Sequence, residues 1–283
     1  MQCWVGIGPP GRIDCRRGQV RGGTHQPLDE ITWKGKLKIM KRIYRAVVPN
    51  AVRKIIRNDQ ARSSKQTIIE NQLQAAFDLY KSKGLMFIHI PKAAGVSVFQ
   101  ALYGRDSWGH APLSAFVDFI GREEIYSIPR ACIVRDPYLR LHSGYRYLRE
   151  GGRGKGLDAQ RQEMLRPYDT FEKFVKEYLA SGDALQIIHF KPQNYWVTDV
   201  SGKLGVDYVG RFERIDDSLN EMINLFGINA SPLPKLNEGK NQLRDEVEER
   251  MIIELFDYEM MSIVNNVYRN DFRLFDYSIF GKE

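Results

Sequence analysis

The chain of 283 residues is poor in cysteine and has no long uncharged apolar run. Its three cysteines, Cys3, Cys15 and Cys132, are too few and too scattered for a disulfide framework or a zinc site. No stretch reaches the roughly 18 uncharged apolar residues that a membrane span requires. Residues 1–27 also lack the apolar segment of a secretory signal peptide. We therefore expect a cytoplasmic protein without a transmembrane helix.

Acidic residues are the minority among the charged ones, because 42 lysines and arginines oppose 35 aspartates and glutamates, for a net charge of +7. Such a balance suits an anionic cofactor, an acidic polymer, nucleic acid or a membrane surface. Much of the excess lies near the N-terminus, where residues 1–39, rich in Gly, Pro and Arg, are predicted to be a disordered basic tail. Residues 40–83 are predicted to be a helical lead-in, and residues 84–283 a single domain.

Two helical patterns precede that domain. Residues 36–57 are basic and amphipathic, broken at Pro49, and residues 66–80 place apolar side chains at steps of three and four before Gly84. The basic segment can lie on an anionic membrane surface, which would give peripheral membrane contact. We favour the alternative in which it packs on its own domain and keeps the basic face in solvent.

Apolar runs and helical patterns alternate through the rest of the chain. Strands are predicted over residues 85–90, 131–134 and 208–212. Helices are predicted over residues 96–103, 114–119, 137–150, 170–181, 216–226 and 245–268. Asp136 and Pro137 suit the N-cap and first position of the third of these helices, and Asp169 with Glu172 has the spacing of a capping box for the fourth. This order predicts an α/β fold with a central, mainly parallel sheet flanked by helices.

The turn after the first predicted strand has the features of a phosphate-binding loop. Lys92 supplies a full charge, Ala93 to Gly95 leave the backbone bare, and Ser97 adds a hydroxyl at the start of a helix whose N-terminus favours anions. The loop is not a Walker A motif, because its lysine precedes its glycine. An ordinary tight turn with an exposed lysine is the alternative.

The second predicted strand leads into another candidate anion site. Arg135 follows its last residue, at the carboxyl edge of the sheet where ligands of open α/β proteins bind. Ser143 lies about two turns into the following helix, so both side chains can contact one phosphate. A surface ion pair is the alternative for any single arginine, but a second anion site at a neighbouring strand makes that alternative weaker.

These two stretches, residues 88–97 (IHIPKAAGVS) and 133–146 (IVRDPYLRLHSGYR), resemble the 5′-phosphosulfate loop and the 3′-phosphate motif of the sulfotransferases. The most similar branch is that of the carbohydrate sulfotransferases that includes the heparan sulfate 2-O-sulfotransferases and bacterial relatives. Weaker similarity continues through residues 191–195, 210–213, 233–237 and 271–272. The resemblance covers roughly residues 84–277, in order, and identifies residues 84–283 as a sulfotransferase domain.

The resemblance implies a fold related to that of the P-loop kinases, 3′-phosphoadenosine 5′-phosphosulfate (PAPS) as the sulfuryl donor, and no metal. It assigns the 5′ end of the donor to Lys92, Ala94, Gly95, Val96 and Ser97, largely through backbone N–H groups, and the 3′-phosphate to Arg135 and Ser143. The family loop usually reads Lys-Thr-Ala-Gly-Thr-Ser. Ala93 and Val96 replace its two threonines here, so the backbone contacts are kept while two hydroxyls are lost.

The resemblance also implies the catalytic roles. His110 matches a histidine that acts as the catalytic base in the heparan sulfate branch, and Lys92 is suited to stabilise the charge on the leaving phosphate. A capping or core position is the alternative for His110. Among the other histidines, His89 is expected to be buried and structural, because it alternates within the first strand.

The predicted acceptor is a hydroxyl of a carbohydrate. Arg153, Lys155, Arg161 and Arg166 either meet an acidic sugar or form a solvated face, and Tyr195 and Trp196 either stack on a ring of a ligand or belong to the core. A nucleotide kinase of related fold is one competing hypothesis, and a non-catalytic protein that binds nucleic acid or the product nucleotide PAP is another. The absence of a Walker A loop counts against the kinase, and the absence of a known nucleic-acid-binding motif counts against nucleic-acid binding. The presence of Lys92 and His110 counts against a non-catalytic PAP binder.

Overall fold

The computed structural model describes residues 50–107, 109–154, 156–199, 201–233 and 245–281. The chain divides into two compact units, Met1–Arg62 and Ser63–Glu283, and the first is described only from Asn50 onward. The predicted basic tail, residues 1–39, and the first part of the amphipathic segment 36–57 lie outside the described residues. So do Lys155 and most of the segment 233–237.

The centre of the second unit is a sheet of three parallel strands, β1 (Met86–Ile88), β2 (Arg130–Val134) and β3 (Tyr208–Arg211), in the order β1-β2-β3. Phe87 pairs with Ala131, and Cys132 pairs with Val209. The predicted α/β fold with a parallel sheet flanked by helices is confirmed. All residues of β1 and β2 are buried, and apart from Arg130 they are apolar, as is typical of parallel strands covered on both faces.

Helices surround this sheet. They are α1 (Asn50–Lys83), α2 (Gly95–Tyr103), α3 (Leu113–Ile120), α4 (Arg122–Tyr126), α5 (Pro137–Arg149), α6 (Leu157–Met164), α7 (Phe171–Lys173), α8 (Asn194–Val197), α9 (Ile215–Phe226), α10 (Asp245–Leu255), α11 (Tyr258–Val267) and α12 (Arg269–Phe275). A π-helical segment, Phe174–Leu179, continues α7, and 3-10 turns cover Asp183–Gln186 and Phe212–Arg214. Among the residues that the structure describes, no helix is long and apolar enough to cross a bilayer.

Three predicted helix boundaries are wrong. From Asn50 onward, the predicted segment 36–57 is not separate from the segment 66–80, because α1 runs without a break from Asn50 to Lys83. Residues 58–65 contain neither Gly nor Pro. The single helix predicted over residues 245–268 is two helices, because the Asp257 side chain accepts from the Met260 N–H and caps α11. The cap of α7 is Thr170, not Asp169.

The predicted start of α5 is confirmed. The Asp136 side chain accepts a hydrogen bond of 3.0 Å from the Leu139 N–H, and Pro137 is the first helical residue. This cap fixes the helix directly after Arg135, at the carboxyl end of β2. The position of Arg135 is therefore set by a strand on one side and a capped helix on the other.

The buried apolar side chains form two clusters within the second unit. One surrounds the sheet and includes residues of α2, α3 and α9, and the other lies between α5, the π-helical segment, α11 and α12. The segment 189–196 joins the two clusters, since Phe190 belongs to the second cluster and Trp196 to the first. Both clusters thus contribute to the elements that position the candidate site.

Candidate active site

The loop between β1 and α2 holds two non-glycine residues in the left-handed region, Lys92 with φ 69° and Ala94 with φ 55°. Such conformations cost on the order of 1–3 kcal/mol each and occur where function maintains them. Helix α2 begins at Gly95, and no side chain caps it. The first N–H groups of α2 therefore lack helical acceptors and face the loop that carries the Lys92 ammonium group.

Gly95 is required by close packing against His89. A Cβ atom at Gly95 would lie 1.7 Å from the Cδ2 atom and 2.3 Å from the Nε2 atom of His89. The imidazole of His89 therefore rests directly on the backbone at the start of α2. Its Nδ1 atom lies 2.9 Å from the Oγ atom of Ser107, so the expectation that His89 is buried and structural is confirmed.

The structure brings Lys92 and Arg135 together. One guanidinium nitrogen of Arg135, Nη1, lies 3.5 Å from the Lys92 carbonyl oxygen, and the guanidinium lies 4.1 Å from the centroid of the Phe212 ring. Lys92 follows β1, Arg135 follows β2 and Phe212 follows β3. The carboxyl ends of all three strands thus meet in one site, which is where parallel α/β sheets bind their ligands.

The backbone of Arg135 is fixed by a residue whose role the sequence did not indicate, Gln193. Its side chain accepts from the Arg135 N–H at 2.9 Å and donates to the Arg135 carbonyl at 2.8 Å. The N–H groups of Gln193 and Asn194 in turn donate to the two carboxylate oxygens of Asp271 on α12, at 2.7 and 2.8 Å. The C-terminal helix therefore helps to hold the second candidate anion site.

Arg140, on α5, is fully buried and binds carbonyl oxygens rather than solvent. Its guanidinium donates to Pro91 at 3.4 Å, His189 at 3.2 Å and Lys191 at 2.7 Å. These bonds join the β1–α2 loop to the segment that carries Gln193. Arg140 thus supports the candidate site from below its surface. Arg135, which precedes α5, is the arginine that contacts Lys92.

The His110 ring packs against two other rings. Its centroid lies 4.1 Å from that of His89 and 5.9 Å from that of Trp196. Its Nδ1 atom lies 3.0 Å from the carbonyl oxygen of His89. A carbonyl can only accept, so Nδ1 carries the proton in the neutral ring and Nε2 is left as the basic nitrogen. His110 is therefore oriented as a general base requires, with a backbone acceptor fixing the tautomer.

Charged residues of α6 and of the loop before it act on this histidine. Asp158 accepts from the Arg161 Nη1 atom at 2.9 Å and from the Arg153 N–H at 3.2 Å. Burial lowers the pKa of His110 below its usual range, and the positive charges of Arg153 and Arg161 lower it further. The hydrogen bond to the His89 carbonyl and the negative charge of Asp158 raise this pKa, but by less. The neutral, proton-accepting form of His110 is thus favoured at neutral pH.

The Lys92 ammonium group lies 4.0 Å from the centroid of the Tyr147 ring. Burial lowers the pKa of Lys92 to about 8, with a further decrease from the neighbouring charge of Arg135, and the charges of Glu150 and Asp158 oppose both. Lys92 is therefore protonated at neutral pH and becomes neutral under mildly alkaline conditions. Burial also lowers the pKa of the nearby His189, to about 3, so its ring is uncharged.

The remaining predicted residues take varied positions. Val96 and Ser97 lie half-buried in the first turn of α2, beside Gly95. Ser143 lies half-buried on α5, two turns after Arg135. Arg166 pairs with Glu163 on the surface, as the solvated alternative predicted.

The two candidate stacking residues, Tyr195 and Trp196, differ in exposure. Trp196 is a core residue with 1% of its surface exposed, whereas Tyr195 is 43% exposed. Tyr195 borders an open groove of about 450 Å³ with a mixed polar and apolar lining: Ser114, Pro192, Asn194, Tyr195, Thr198, Asp199, Val267 and Asn270. The Tyr195 ring contacts Trp196, which contacts His110, so the buried Trp196 ring lies between Tyr195 and the candidate base.

Comparison with known proteins assigns a family to this arrangement. The model of the sulfotransferase family matches residues 75–278, which confirms the resemblance seen in the sequence. No curated protein and no solved structure matches the chain. In the part of the chain that the structure describes, no three His, Cys, Asp or Glu side chains form a group that could hold a metal ion.

Proposed function

The chain belongs to the sulfotransferase family, and from this premise we propose that it transfers the sulfuryl group of PAPS to a hydroxyl of an acidic carbohydrate. The observation that carries the proposal is the junction of Lys92 and Arg135 at neighbouring strand ends, where the Nη1 atom of Arg135 lies 3.5 Å from the Lys92 carbonyl oxygen. A donor with phosphates at both its 5′ and 3′ positions needs two such sites in one cleft. We therefore expect donor binding to need both cationic sites, that of Lys92 and that of Arg135.

The residues present suit such a donor. The N–H groups of Gly95, Val96 and Ser97 at the uncapped start of α2, next to Ala94 and the Lys92 ammonium, would hold the 5′ end. Arg135 and Ser143 would hold the 3′-phosphate, by a charge-assisted fork and a hydroxyl. When bound, the donor supplies a sulfuryl group attached to a phosphate leaving group.

His110 and Lys92 would carry the chemistry on the protein side. The Nε2 atom of His110 accepts the proton of the acceptor hydroxyl while the hydroxyl oxygen forms its bond to sulfur. The bond between sulfur and the phosphate oxygen breaks, and the Lys92 ammonium stabilises the negative charge that the phosphate gains. The hydroxyl proton ends on His110, and the products are a sulfate ester and PAP.

The surroundings of His110 support a carbohydrate as the acceptor. The groove beside Tyr195 offers an exposed aromatic ring together with hydroxyl and amide side chains, groups that can pack on a sugar ring and bond its hydroxyls. The exposed Arg153, which acts electrostatically on His110, adds a positive charge at the mouth of the site. An acceptor that carries a carboxylate or sulfate would complement this charge.

Binding of PAP, ATP and a short oligonucleotide, measured separately by calorimetry, tests the donor. We expect PAP to bind in preference to the other two. We expect Arg135→Ala to weaken PAP binding roughly 10- to 100-fold, since a hydrogen bond to a charged group is typically worth about 1.5–3 kcal/mol. Lys81→Ala, at a lysine paired with Glu124 on the surface, is the matched control. Wild-type PAP affinity in Arg135→Ala, or preferred binding of ATP or the oligonucleotide, would refute the donor assignment.

Incubation with labelled PAPS and a panel of desulfated polysaccharides tests the acceptor. We expect label to enter carboxylated polysaccharides and to enter neutral ones less. Charge reversal by Arg153→Glu should reduce labelling of carboxylated acceptors more than labelling of neutral ones. An equal effect on carboxylated and neutral acceptors would show that Arg153 does not interact with the negative charge of the acceptor.

A further inference from the structure

The Lys92 side chain has a specific partner, the ring of Tyr147 on α5. The ammonium nitrogen lies 4.0 Å from the ring centroid, close enough for the ring quadrupole to attract it. In the ranges that the structure describes, Lys92 forms no ion pair. The aromatic face is therefore the contact that defines where its charge lies.

The Tyr147 ring is itself held in place at its far end. Its hydroxyl donates to the Oδ2 atom of Asp158 at 2.8 Å, and its ring lies 5.2 Å from that of His189. Asp158 is buried and is fixed in turn by Arg161 and by the backbone of Arg153. The ring consequently cannot swing away from Lys92 without breaking a hydrogen bond to a buried carboxylate.

We propose that Tyr147 is a positioning residue that holds the Lys92 ammonium at the oxygen of the leaving phosphate, with Asp158 fixing its ring. This inference rests on the role given to Lys92 in the proposed function. Lys92 also interacts electrostatically with four other titratable or charged groups: Arg135, Glu150, Asp158 and His189. Of these, Arg135 disfavours the charged lysine, whereas Glu150 and Asp158 favour it, and Tyr147 adds attraction without a charge.

The first test measures Lys92 directly, without any turnover. Protein labelled with ¹³C at the lysine ε-carbon is titrated by NMR, and the Lys92 signal is assigned by its loss in Lys92→Met. We expect a midpoint near pH 8 in the wild-type protein. Tyr147→Leu should lower the midpoint by about half a pH unit, because the ring no longer stabilises the cation. Tyr147→Phe keeps the ring but loses its bond to Asp158, so it should lower the midpoint by less.

Tyr126→Leu is the matched control, because Tyr126 also lies against cations, Arg122 and Arg130, but on α4 and outside the site. It should leave the Lys92 midpoint unchanged. If Tyr147→Leu does not fold, as judged by circular dichroism, Tyr147→Met offers the same loss of the ring with a more flexible side chain. An unchanged Lys92 midpoint in a folded variant without the ring would overturn the inference.

Turnover supplies the second test. We expect Tyr147→Leu to lower kcat about tenfold with little change in the acceptor KM, and to move the alkaline limb of the pH profile with the Lys92 midpoint. Tyr147→Phe should stay within about threefold of the wild-type kcat. A shifted midpoint with a wild-type kcat would overturn the positioning role. A shifted midpoint in a protein that transfers nothing from PAPS would support the contact and refute the proposed function instead.

Discussion

At the scale of single residues, the site depends on the tautomer of His110. The His89 carbonyl accepts from Nδ1, so the basic nitrogen is Nε2, for which no hydrogen bond is made within the described part of the chain. His89 itself is held by Ser107, whose hydroxyl donates to the Gly109 carbonyl and accepts from the Gly109 N–H. The residues flanking His110 in sequence thus form the support on which its ring rests.

Removal of the His110 ring should therefore abolish transfer but leave donor binding intact. We expect His110→Ala to lower kcat by about 10²–10⁴-fold, the usual contribution of a general base, and to keep wild-type PAP affinity in calorimetry. His110→Asn is the sharper variant, because its amide can still donate to the His89 carbonyl while it has no counterpart of Nε2. Turnover within threefold of wild type in His110→Asn would remove this histidine from the mechanism.

The electrostatic surroundings of His110 predict the acid side of the pH profile. Only the neutral ring can accept a proton, so kcat/KM rises as pH increases through the pKa of His110. Burial lowers that pKa below 6.5, and Arg153 and Arg161 lower it further. We expect the acid limb below pH 6.5, measured with saturating PAPS, and Arg161→Gln should move it upward. A limb above pH 6.5 in the wild-type protein would contradict this assignment.

At the scale of secondary-structure elements, the junction of β1 with α2 determines the shape of the proposed donor site. Lys92 and Ala94 adopt left-handed backbone conformations, and Gly95 lets the His89 ring approach the helix start. The predicted loop had already indicated bare backbone at these positions. The close approach of the His89 ring is a second reason for glycine at position 95. The same junction therefore carries the free N–H groups of α2 and the residue, His89, that supports His110.

Gly95→Ala should consequently damage both functions at once. A methyl group 1.7 Å from His89 Cδ2 forces the imidazole or the loop to move. We expect PAP affinity and kcat each to fall at least tenfold, with a loss of about 1–3 kcal/mol in the free energy of unfolding. Gly104→Ala, at the other end of α2, meets no atom within 4 Å and serves as the control, which should lose stability only. Equal effects of the two substitutions on PAP affinity would contradict the role of Gly95.

The sequence predicted these elements well where the signal was local. The end of β2, the Asp136 cap and the loop of Lys92 follow from short patterns of apolar, capping and small residues, whereas β1 ends at Ile88, two residues before its predicted end. Gln193 and Asp271 could not be assigned roles in this way, because their hydrogen bonds join residues far apart in sequence. The separation is 58 positions for Gln193 and Arg135, and 77 or 78 positions for the two bonds to Asp271. A resemblance at residues 191–195 and 271–272 was visible, but only the fold shows that these segments support Arg135.

The helix boundaries show the same limit. The break between α10 and α11 depends on the Asp257 cap, which competes with an otherwise continuous helical pattern. Tyr147 was part of the predicted helix after Arg135, yet nothing in its sequence indicated a contact with Lys92. Its role follows from the way in which α5 passes the β1–α2 loop, which is a tertiary relationship.

At the scale of the whole molecule, buried charges link the site to stability. Arg140 donates to three carbonyl oxygens, and Asp271 accepts from two N–H groups near it, so neither charge is left without hydrogen bonds. Removal of one member of such a set typically costs about 3–5 kcal/mol, because the groups left behind remain buried. Asp136 differs, because Glu213, whose carboxylate accepts from the Asp136 N–H, adds a like charge.

Asp136 should therefore make the folded protein less stable as pH rises. Burial raises its pKa from 3.8 to about 7 in the folded state, so between these values the folded protein binds a proton that the unfolded chain has lost. Stability then falls with increasing pH over this range and is level above pH 7. Asn caps helices as well as Asp does, so Asp136→Asn keeps the bond from Leu139 but removes the charge.

Urea unfolding at pH 5, 6, 7 and 8 measures this effect. The free energy of unfolding of Asp136→Asn, minus that of the wild type, should grow by about 1 kcal/mol per pH unit between pH 5 and pH 7 and then remain constant. Gly104→Ala, which changes no titratable group, is the control and should give a difference that does not change with pH. A constant or falling difference for Asp136→Asn would show that the buried carboxyl is already ionised in the folded protein at pH 5, despite its burial beside Glu213.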